Sequence, residues 1–75
     1  MNAEVNLMVS ALTERRKDLG YSQRELDRLI GLSDCMIAKW ESGARFPTAS
    51  SLVRWAAALG YELAVKPTGK RKKKP

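Results

Sequence analysis

The chain has 75 residues, of which 44% are hydrophobic, enough for one small domain with a modest core. It contains no His and a single Cys. These counts exclude His-activated nucleophiles, an internal disulfide and a Cys-only zinc site. We therefore expect a protein that is not an enzyme and that needs no metal or other cofactor.

The positive charge is concentrated at the C-terminal end. The formal net charge is +6, yet positions 1–66 hold nine basic and eight acidic residues, and the remaining five basic residues lie in positions 67–75. A basic run beside Gly and Pro is typical of a disordered segment that attracts polyanions, and also of a solubilising terminus. We expect a folded domain over residues 1–60, a short segment over 61–66 and a disordered basic tail over 67–75.

No segment resembles a targeting signal or a membrane span. Residues 1–12 lack a basic start followed by a continuous apolar stretch, and no window has the apolar length of a spanning helix. The basic tail has no apolar anchor beside it, which argues against membrane binding. A free Cys suits a reducing compartment, so we expect a cytoplasmic protein.

The first two predicted helices have clear ends. Val5, Met8, Leu12 and Leu19 recur at helical spacing and predict a first helix that Gly20 ends. A capping box opens the second helix, because Ser22 stands three residues before Glu25. Its expected apolar side is Leu26, Leu29 and Ile30, and Gly31 interrupts it after about two turns.

Two more helices are predicted further along the chain. Ser33 can cap a short third helix that ends at Ser42-Gly43, with Ile37 and Trp40 on its inner face. Thr48 or Ser50 can cap a fourth helix that Gly60 ends. Its apolar residues are Leu52, Val53, Trp55, Ala56 and Leu59.

The segment after the fourth helix has a different periodicity. Tyr61, Leu63 and Val65 fall on one face at period two, which predicts a strand over residues 61–66. A lone strand leaves its backbone groups unpaired. We therefore expect it to pair with the same strand of a second copy, and to pack against Trp55 and Leu59 of the fourth helices.

Residues 23–41 hold the most informative pattern. Two short helices flank a Gly-containing turn, and a compact apolar wedge would hold them at a steep angle: Leu26, Ile30, Leu32, Ile37 and Trp40. This is typical of a helix-turn-helix, whose second helix enters the major groove of DNA. The pattern alone also suits a plain helical bundle or an interaction domain.

Several motifs together resemble the Xre family, the helix-turn-helix proteins of the Cro and lambda-repressor type. They are Gly20 to Leu26, Ile30 to Ser33, Ile37 to Gly43, Arg45 to Pro47, Leu52, and Ala58 to Gly60. The resemblance covers roughly residues 7–60. It implies an all-α, lambda-repressor-like domain of four helices that binds double-stranded DNA, commonly as a homodimer on a palindromic operator.

The resemblance also implies roles for individual residues. The positions that touch base edges in the family correspond to Asp34, Cys35, Ala38 and Lys39. The phosphate-contacting positions correspond to Ser22, Gln23, Ser42 and Arg45, and the positions of a partly buried ion pair to Arg16 and Glu41. The dimer residues expected from the strand over residues 61–66, rather than from this resemblance, are Tyr61, Leu63 and Val65.

Two positions depart from the family pattern. Asp27 stands where the family usually has Ala, so its carboxylate must reach solvent, Arg24, Arg28 or the start of the third helix. Asp34 and Cys35 replace the Gln, Ser or Thr common at base-reading positions. Asp34 can accept from cytosine N4, or it can stabilise the first turn of its helix.

The C-terminal strand narrows the resemblance further. A short strand after the fourth helix is similar to the HipB-type antitoxins, which implies a toxin partner and autoregulation of a toxin–antitoxin operon. A free-standing repressor would need nothing different in the first 60 residues. The alternative is a different class of protein, an interaction module that keeps the fold but does not read bases. The nearly neutral charge of positions 1–66 and the acidic Asp34 favour it.

Overall fold

The structure is a computed structural model that describes residues 3–65 and residue 69. This part of the chain forms four helices: α1 (Ala3–Leu19), α2 (Gln23–Ile30), α3 (Met36–Ser42) and α4 (Ala49–Ala58). It contains no strand, which confirms the all-α fold class. Residues 66–68 and 70–75, most of the expected basic tail, lie outside the described residues.

The buried face of α1 differs from the apolar face that the sequence predicts for the first helix. Leu12 is buried and Val5 is half-buried, but Met8 and Leu19 are 39% and 44% exposed. Val9 is buried instead of Met8. The prediction was wrong at these two positions because several registers of a helix with scattered apolar residues satisfy the same spacing.

The ends of α2 agree with the sequence. Ser22 Oγ accepts from the Glu25 N–H at 3.0 Å, and the Ser22 N–H donates to Glu25 Oε1 at 2.9 Å, so the predicted capping box is present. Gly31 follows α2 with φ +80°, a left-handed conformation that Gly adopts without steric cost. Leu29, expected on the apolar side, is 56% exposed, so that assignment was wrong.

Helix α4 packs against α2 and, through Trp55, against Trp40 of α3. Thr48 caps it by accepting from the Ser51 N–H, which confirms one of the two predicted caps. Its inner face holds Trp55 and Ala56, whereas Val53 is 55% exposed and does not belong to the core. The Arg54 guanidinium donates to the backbone oxygen of Ile30 and so satisfies a carbonyl at the end of α2.

One core unites the four helices. The Trp40 and Trp55 rings lie 5.4 Å apart between centroids, at an angle of 34°, a favourable tilted arrangement. The predicted wedge is present, with Leu32 partly buried against the core. The buried apolar residues are Val9, Leu12, Leu26, Ile30, Ile37, Trp40, Leu52, Trp55, Ala56 and Leu59.

Residues 61–65 follow α4 without regular secondary structure. Pairing with a second copy requires a second chain, so the strand stays a prediction. One part of that expectation was wrong: Trp55 and Leu59 are 0% and 1% exposed within a single chain, so neither offers surface to a partner. Val53 is a large apolar side chain of α4 that does reach solvent, with 55% of it exposed.

No helix among the described residues is both long and apolar enough to cross a membrane.

Candidate nucleic-acid interface

The turn between α2 and α3 is organised around Asp27. The backbone oxygen of Asp27 accepts from the Gly31 N–H at 3.0 Å and from the Leu32 N–H at 2.8 Å. These bonds close the C-terminal end of α2 and reverse the chain toward α3. Leu26 on α2 and Ile37 on α3 are both 0% exposed and belong to the same core.

The side chain of Asp27 caps α3 from the neighbouring helix. Oδ1 accepts from the Ile37 N–H at 2.8 Å and Oδ2 from the Cys35 N–H at 3.1 Å. Asp27 is only 4% exposed, so this partner is what makes a carboxylate tolerable there. Of the alternatives left open by the sequence, the start of the third helix is the one observed.

Helix α3 has no cap of its own. Cys35 occupies the N-cap position with φ +66°, and its side chain makes no capping hydrogen bond. Among the described residues other than Gly, Cys35 alone has a positive φ. The prediction that Ser33 caps α3 was wrong, because α3 begins later, at Met36.

The four candidate base-reading residues divide between the turn and the helix. Asp34 and Cys35 are exposed and precede α3, whereas half-buried Ala38 and exposed Lys39 lie on it. The first turn of α3 contains no acidic residue, so the alternative role of Asp34 as a first-turn stabiliser is not supported.

A pocket at this surface collects three of the four candidates. Asp34, Cys35 and Ala38 line it together with Arg24 and Asp27, and Gln23 completes its wall. The start of α2 therefore meets the start of α3 at one concave surface. The pocket brings the Arg24 cation together with carboxylate, thiol and methyl groups.

The candidate phosphate contacts at the start of α2 already have partners. The Ser22 hydroxyl and N–H serve the capping box. Hydrogen bonding with the backbone N–H of Ser22, and secondarily with its side chain, lowers the pKa of Glu25. Half-buried Gln23 donates from Nε2 to Glu41 Oε1 at 2.9 Å. Because an amide carries a second N–H, that bond leaves Gln23 able to donate again.

The other two phosphate candidates lie around the end of α3. Ser42 Oγ donates to the Lys39 backbone oxygen at 3.1 Å and accepts from the Ala44 N–H at 3.3 Å. The Arg45 N–H donates to the same Lys39 oxygen at 3.1 Å. Both side chains are exposed, and the backbone oxygen of Lys39, a candidate base reader, links the last residue of α3 to the following loop.

Arg16 and Glu41 form a two-pronged ion pair. Arg16 Nε donates to Glu41 Oε2 at 2.7 Å and Nη2 donates to Oε1 at 3.0 Å. Arg16 Nη1 also donates to the Tyr21 backbone oxygen at 2.8 Å. Arg16 is 8% exposed, and its hydrogen bonds to Glu41 raise its pKa. The pair joins the end of α1 to α3 and, through Gln23, to α2.

Sequence reasoning missed a contact that holds the C-terminal segment. The Arg15 guanidinium lies over the Tyr61 ring, 5.1 Å from its centroid, and Nε donates to the Leu59 backbone oxygen at 3.0 Å. No local pattern links positions 44 residues apart, so only the folded chain brings them together. In the described part of the chain, no cluster of His, Cys, Asp and Glu could hold a metal ion.

Comparisons with known proteins agree with this geometry. A family model described as helix-turn-helix matches residues 12–66. An "uncharacterized HTH-type transcriptional regulator" of Haemophilus influenzae is 37% identical over 67 residues, which is 85% of this chain and 68% of that protein. No solved structure matches the chain.

Proposed function

Because this chain belongs to the helix-turn-helix family of Xre type, a family of DNA-binding transcriptional regulators, we propose that it is a repressor that binds a palindromic operator as a homodimer. The observation that carries the proposal is the joined surface of α2 and α3, where Gln23 and three candidate base readers line one pocket. Family membership points to a DNA-binding protein rather than an enzyme.

The proposed division of labour follows from the two kinds of contact. Lys39, Asp34, Cys35 and Ala38 would read bases in the major groove, since Lys donates to guanine and Asp accepts from cytosine N4. Ser22, Gln23, Ser42 and Arg45 would contact phosphates, which position a protein on DNA without specifying sequence.

The proposed dimer would use the C-terminal segment and α4. Tyr61, Leu63 and Val65 are exposed, at 44%, 37% and 103%, and Val53 on α4 is 55% exposed. Pairing of two identical strands by a two-fold axis would satisfy their backbone groups and cover such side chains. Two reading helices in a dimer would reach half-sites about 34–36 Å apart.

Selection of duplexes from a random pool tests this function directly. We expect enrichment of a palindrome whose half-site centres lie about one helical turn apart. A pool in which no motif is enriched would favour the alternative, an interaction module without base reading. The exposed Asp34 carboxylate is the observation that favours that alternative, because it repels phosphate.

An antitoxin role is the finer form of the proposal and depends on the same C-terminal segment. It would require a toxin partner encoded in the same operon, and both proteins would act in the cytoplasm. The test is whether the product of the adjacent gene co-purifies with this chain and arrests growth when this chain is absent. Failure of both outcomes would leave a free-standing repressor.

A further inference from the structure

Asp27 lies on α2 but makes hydrogen bonds to the start of α3, which its place in the sequence does not predict. It is a carboxylate on α2, nearly fully buried, and it serves two neighbouring elements at once. Its backbone oxygen closes α2 through Gly31 and Leu32, while its side chain opens α3 through Cys35 and Ile37. One residue therefore makes hydrogen bonds both to the end of α2 and to the start of α3.

The side-chain bonds substitute for an N-cap. An N-cap side chain ordinarily accepts from the second or third N–H of its own helix. In α3 the acceptor for the second N–H, that of Ile37, is Asp27 Oδ1 at 2.8 Å, supplied from α2. A negative group at a helix start is also stabilised by the helix dipole, and its bonds to N–H groups are strengthened by its charge.

The second bond holds Cys35 in an unfavourable backbone conformation. Residues other than Gly avoid a positive φ, and Cys35 has φ +66° with its N–H donating to Asp27 Oδ2. That conformation sets the direction of the Cys35 side chain and of the Asp34–Cys35 turn relative to Ala38 on the helix. Asp34, Cys35 and Ala38 line the same pocket as Asp27.

We propose that Asp27 is a positioning residue for base reading: its carboxylate holds the left-handed turn at Cys35 and the start of α3, and so orients the side chains that discriminate bases. The proposal rests on the proposed DNA-binding function. Asp27 need not touch DNA, since it acts through Cys35 and α3. Its loss therefore alters discrimination between duplexes more than general affinity.

The test uses Asp27→Asn in the full chain. An amide offers one acceptor oxygen and an NH₂ donor, so one of the two N–H groups loses its acceptor while side-chain volume is kept. The probes are the duplex enriched by the wild-type protein and a scrambled duplex of equal composition. Helical circular dichroism and the emission of Trp40 and Trp55 establish that each variant is folded.

We expect the ratio of the two affinities to fall about tenfold, the size of one lost base contact, with less than about a twofold change on the scrambled duplex. Asp18→Asn makes the same chemical change at an exposed position of α1 and should leave the ratio unchanged. Should Asp27→Asn not fold, Asp27→Glu keeps both acceptor oxygens but displaces them by one methylene, and the same loss is expected. A folded variant with an unchanged ratio overturns the proposal.

A double substitution separates positioning from general support of the fold. Gly adopts a positive φ freely, so Cys35→Gly reduces the need for Asp27. We expect Asp27→Asn to reduce the ratio less in the Cys35→Gly background than in the wild-type background. Equal losses in both backgrounds would overturn the route through Cys35, because a purely structural role has no reason to depend on that residue.

A measurement on the free protein keeps the proposal distinct from the proposed function. If the wild-type chain enriches no duplex, the proposed function fails, and amide hydrogen exchange decides the positioning role. In Asp27→Asn at least one of the two amides, that of Cys35 or that of Ile37, should exchange at least about tenfold faster, while core amides such as that of Leu26 change less. Unchanged exchange at both amides overturns the proposal.

Discussion

At the scale of single residues, Glu41 connects three helices. Its two carboxylate oxygens accept from Arg16 on α1 and from Gln23 on α2, while Glu41 itself lies on α3. The side chains of Arg16 and Glu41 are 10% and 8% exposed, so water screens the pair little. Removing one partner would leave the other charge buried and unpaired.

We expect Glu41→Ala to lower the free energy of unfolding by about 3–5 kcal/mol, the range for a buried pair that loses one member. Urea unfolding followed by circular dichroism measures the loss. Glu14→Ala, at an exposed position of α1, should change stability by less than about 0.5 kcal/mol. Similar losses for the two variants would show that the ion pair contributes no more than a surface carboxylate.

Lys39 is the candidate base reader with the clearest chemistry. It is exposed on α3 and can donate to guanine O6 and N7. We expect Lys39→Ala to reduce discrimination between operator and random DNA by about 1–3 kcal/mol. Arg45→Ala should instead weaken both duplexes to a similar extent, because phosphate contacts carry no sequence information. Equal losses on both duplexes for Lys39→Ala would remove Lys39 from the reading set.

At the scale of elements, the helix starts are satisfied in three different ways. Helix α2 begins with a reciprocal capping box, and α4 with the Thr48 hydroxyl. Helix α3 begins with a carboxylate from α2. The first two devices lie within a few residues of the helix that they cap, whereas the third exists only when α2 and α3 are packed together.

The capping box makes part of the stability depend on pH. Hydrogen bonds from Ser22 lower the pKa of Glu25, so the folded state favours the ionised carboxylate. The resulting stabilisation is fully present above the ordinary pKa of Glu, about 4.3, and is lost as the pH falls through the lowered folded-state value. We expect the stability difference between wild type and Glu25→Gln to be largest near neutral pH and to shrink in acid. Thermal unfolding of both proteins across the acid range measures it, and a constant difference would contradict the prediction.

The C-terminal segment supports a prediction about assembly. Leu63 follows α4, is 37% exposed and lies outside the core, so Leu63→Pro should keep the helical circular dichroism. Proline removes one backbone donor from the proposed pair of strands, and the substitution also removes the Leu side chain. We expect a monomer that loses operator binding. Leu63→Thr keeps the donor and a strand-favouring side chain, and should remain dimeric. A Leu63→Pro protein still dimeric in sedimentation at micromolar concentration would exclude this segment as the dimer interface.

At the scale of the whole molecule, charge and fold are separated along the sequence. Positions 1–66 carry a net charge of +1, and the five further basic residues lie in positions 70–74. A nearly neutral body provides little general attraction for DNA, so we expect the C-terminal residues to supply much of the salt dependence of binding.

Deleting residues 69–75 should preserve the fold and the preferred duplex but reduce the salt dependence. Each phosphate neutralised on duplex DNA contributes about −0.9 to the slope of log affinity against log salt, and we expect only some of the five neighbouring charges to contact phosphate at once. A chain of equal length with Gln at positions 70–74 should behave like the deletion, since charge rather than length is responsible. An unchanged slope in both variants would show that these residues do not contact DNA.

The sequence alone determined the four helices, most of their ends and the helix-turn-helix arrangement. The reason is that these features are local: Ser22 and Glu25 are three residues apart, Thr48 directly precedes its helix, and Gly31 supplies a left-handed turn. The wedge that includes Leu26 and Ile37 could likewise be predicted, because apolar residues at helical spacing favour a common buried face.

Only the tertiary structure decided which apolar residues are buried and which polar residues are partners. Met8, Leu29 and Val53 fit the helical spacing, yet they are exposed because the neighbouring helices cover only one side of each helix. Asp27 could be assigned to α3 only once α2 was packed against it, and Gln23 met Glu41 through the same packing. Periodicity specifies positions around one helix axis, whereas a contact between distant residues depends on where the other axes lie.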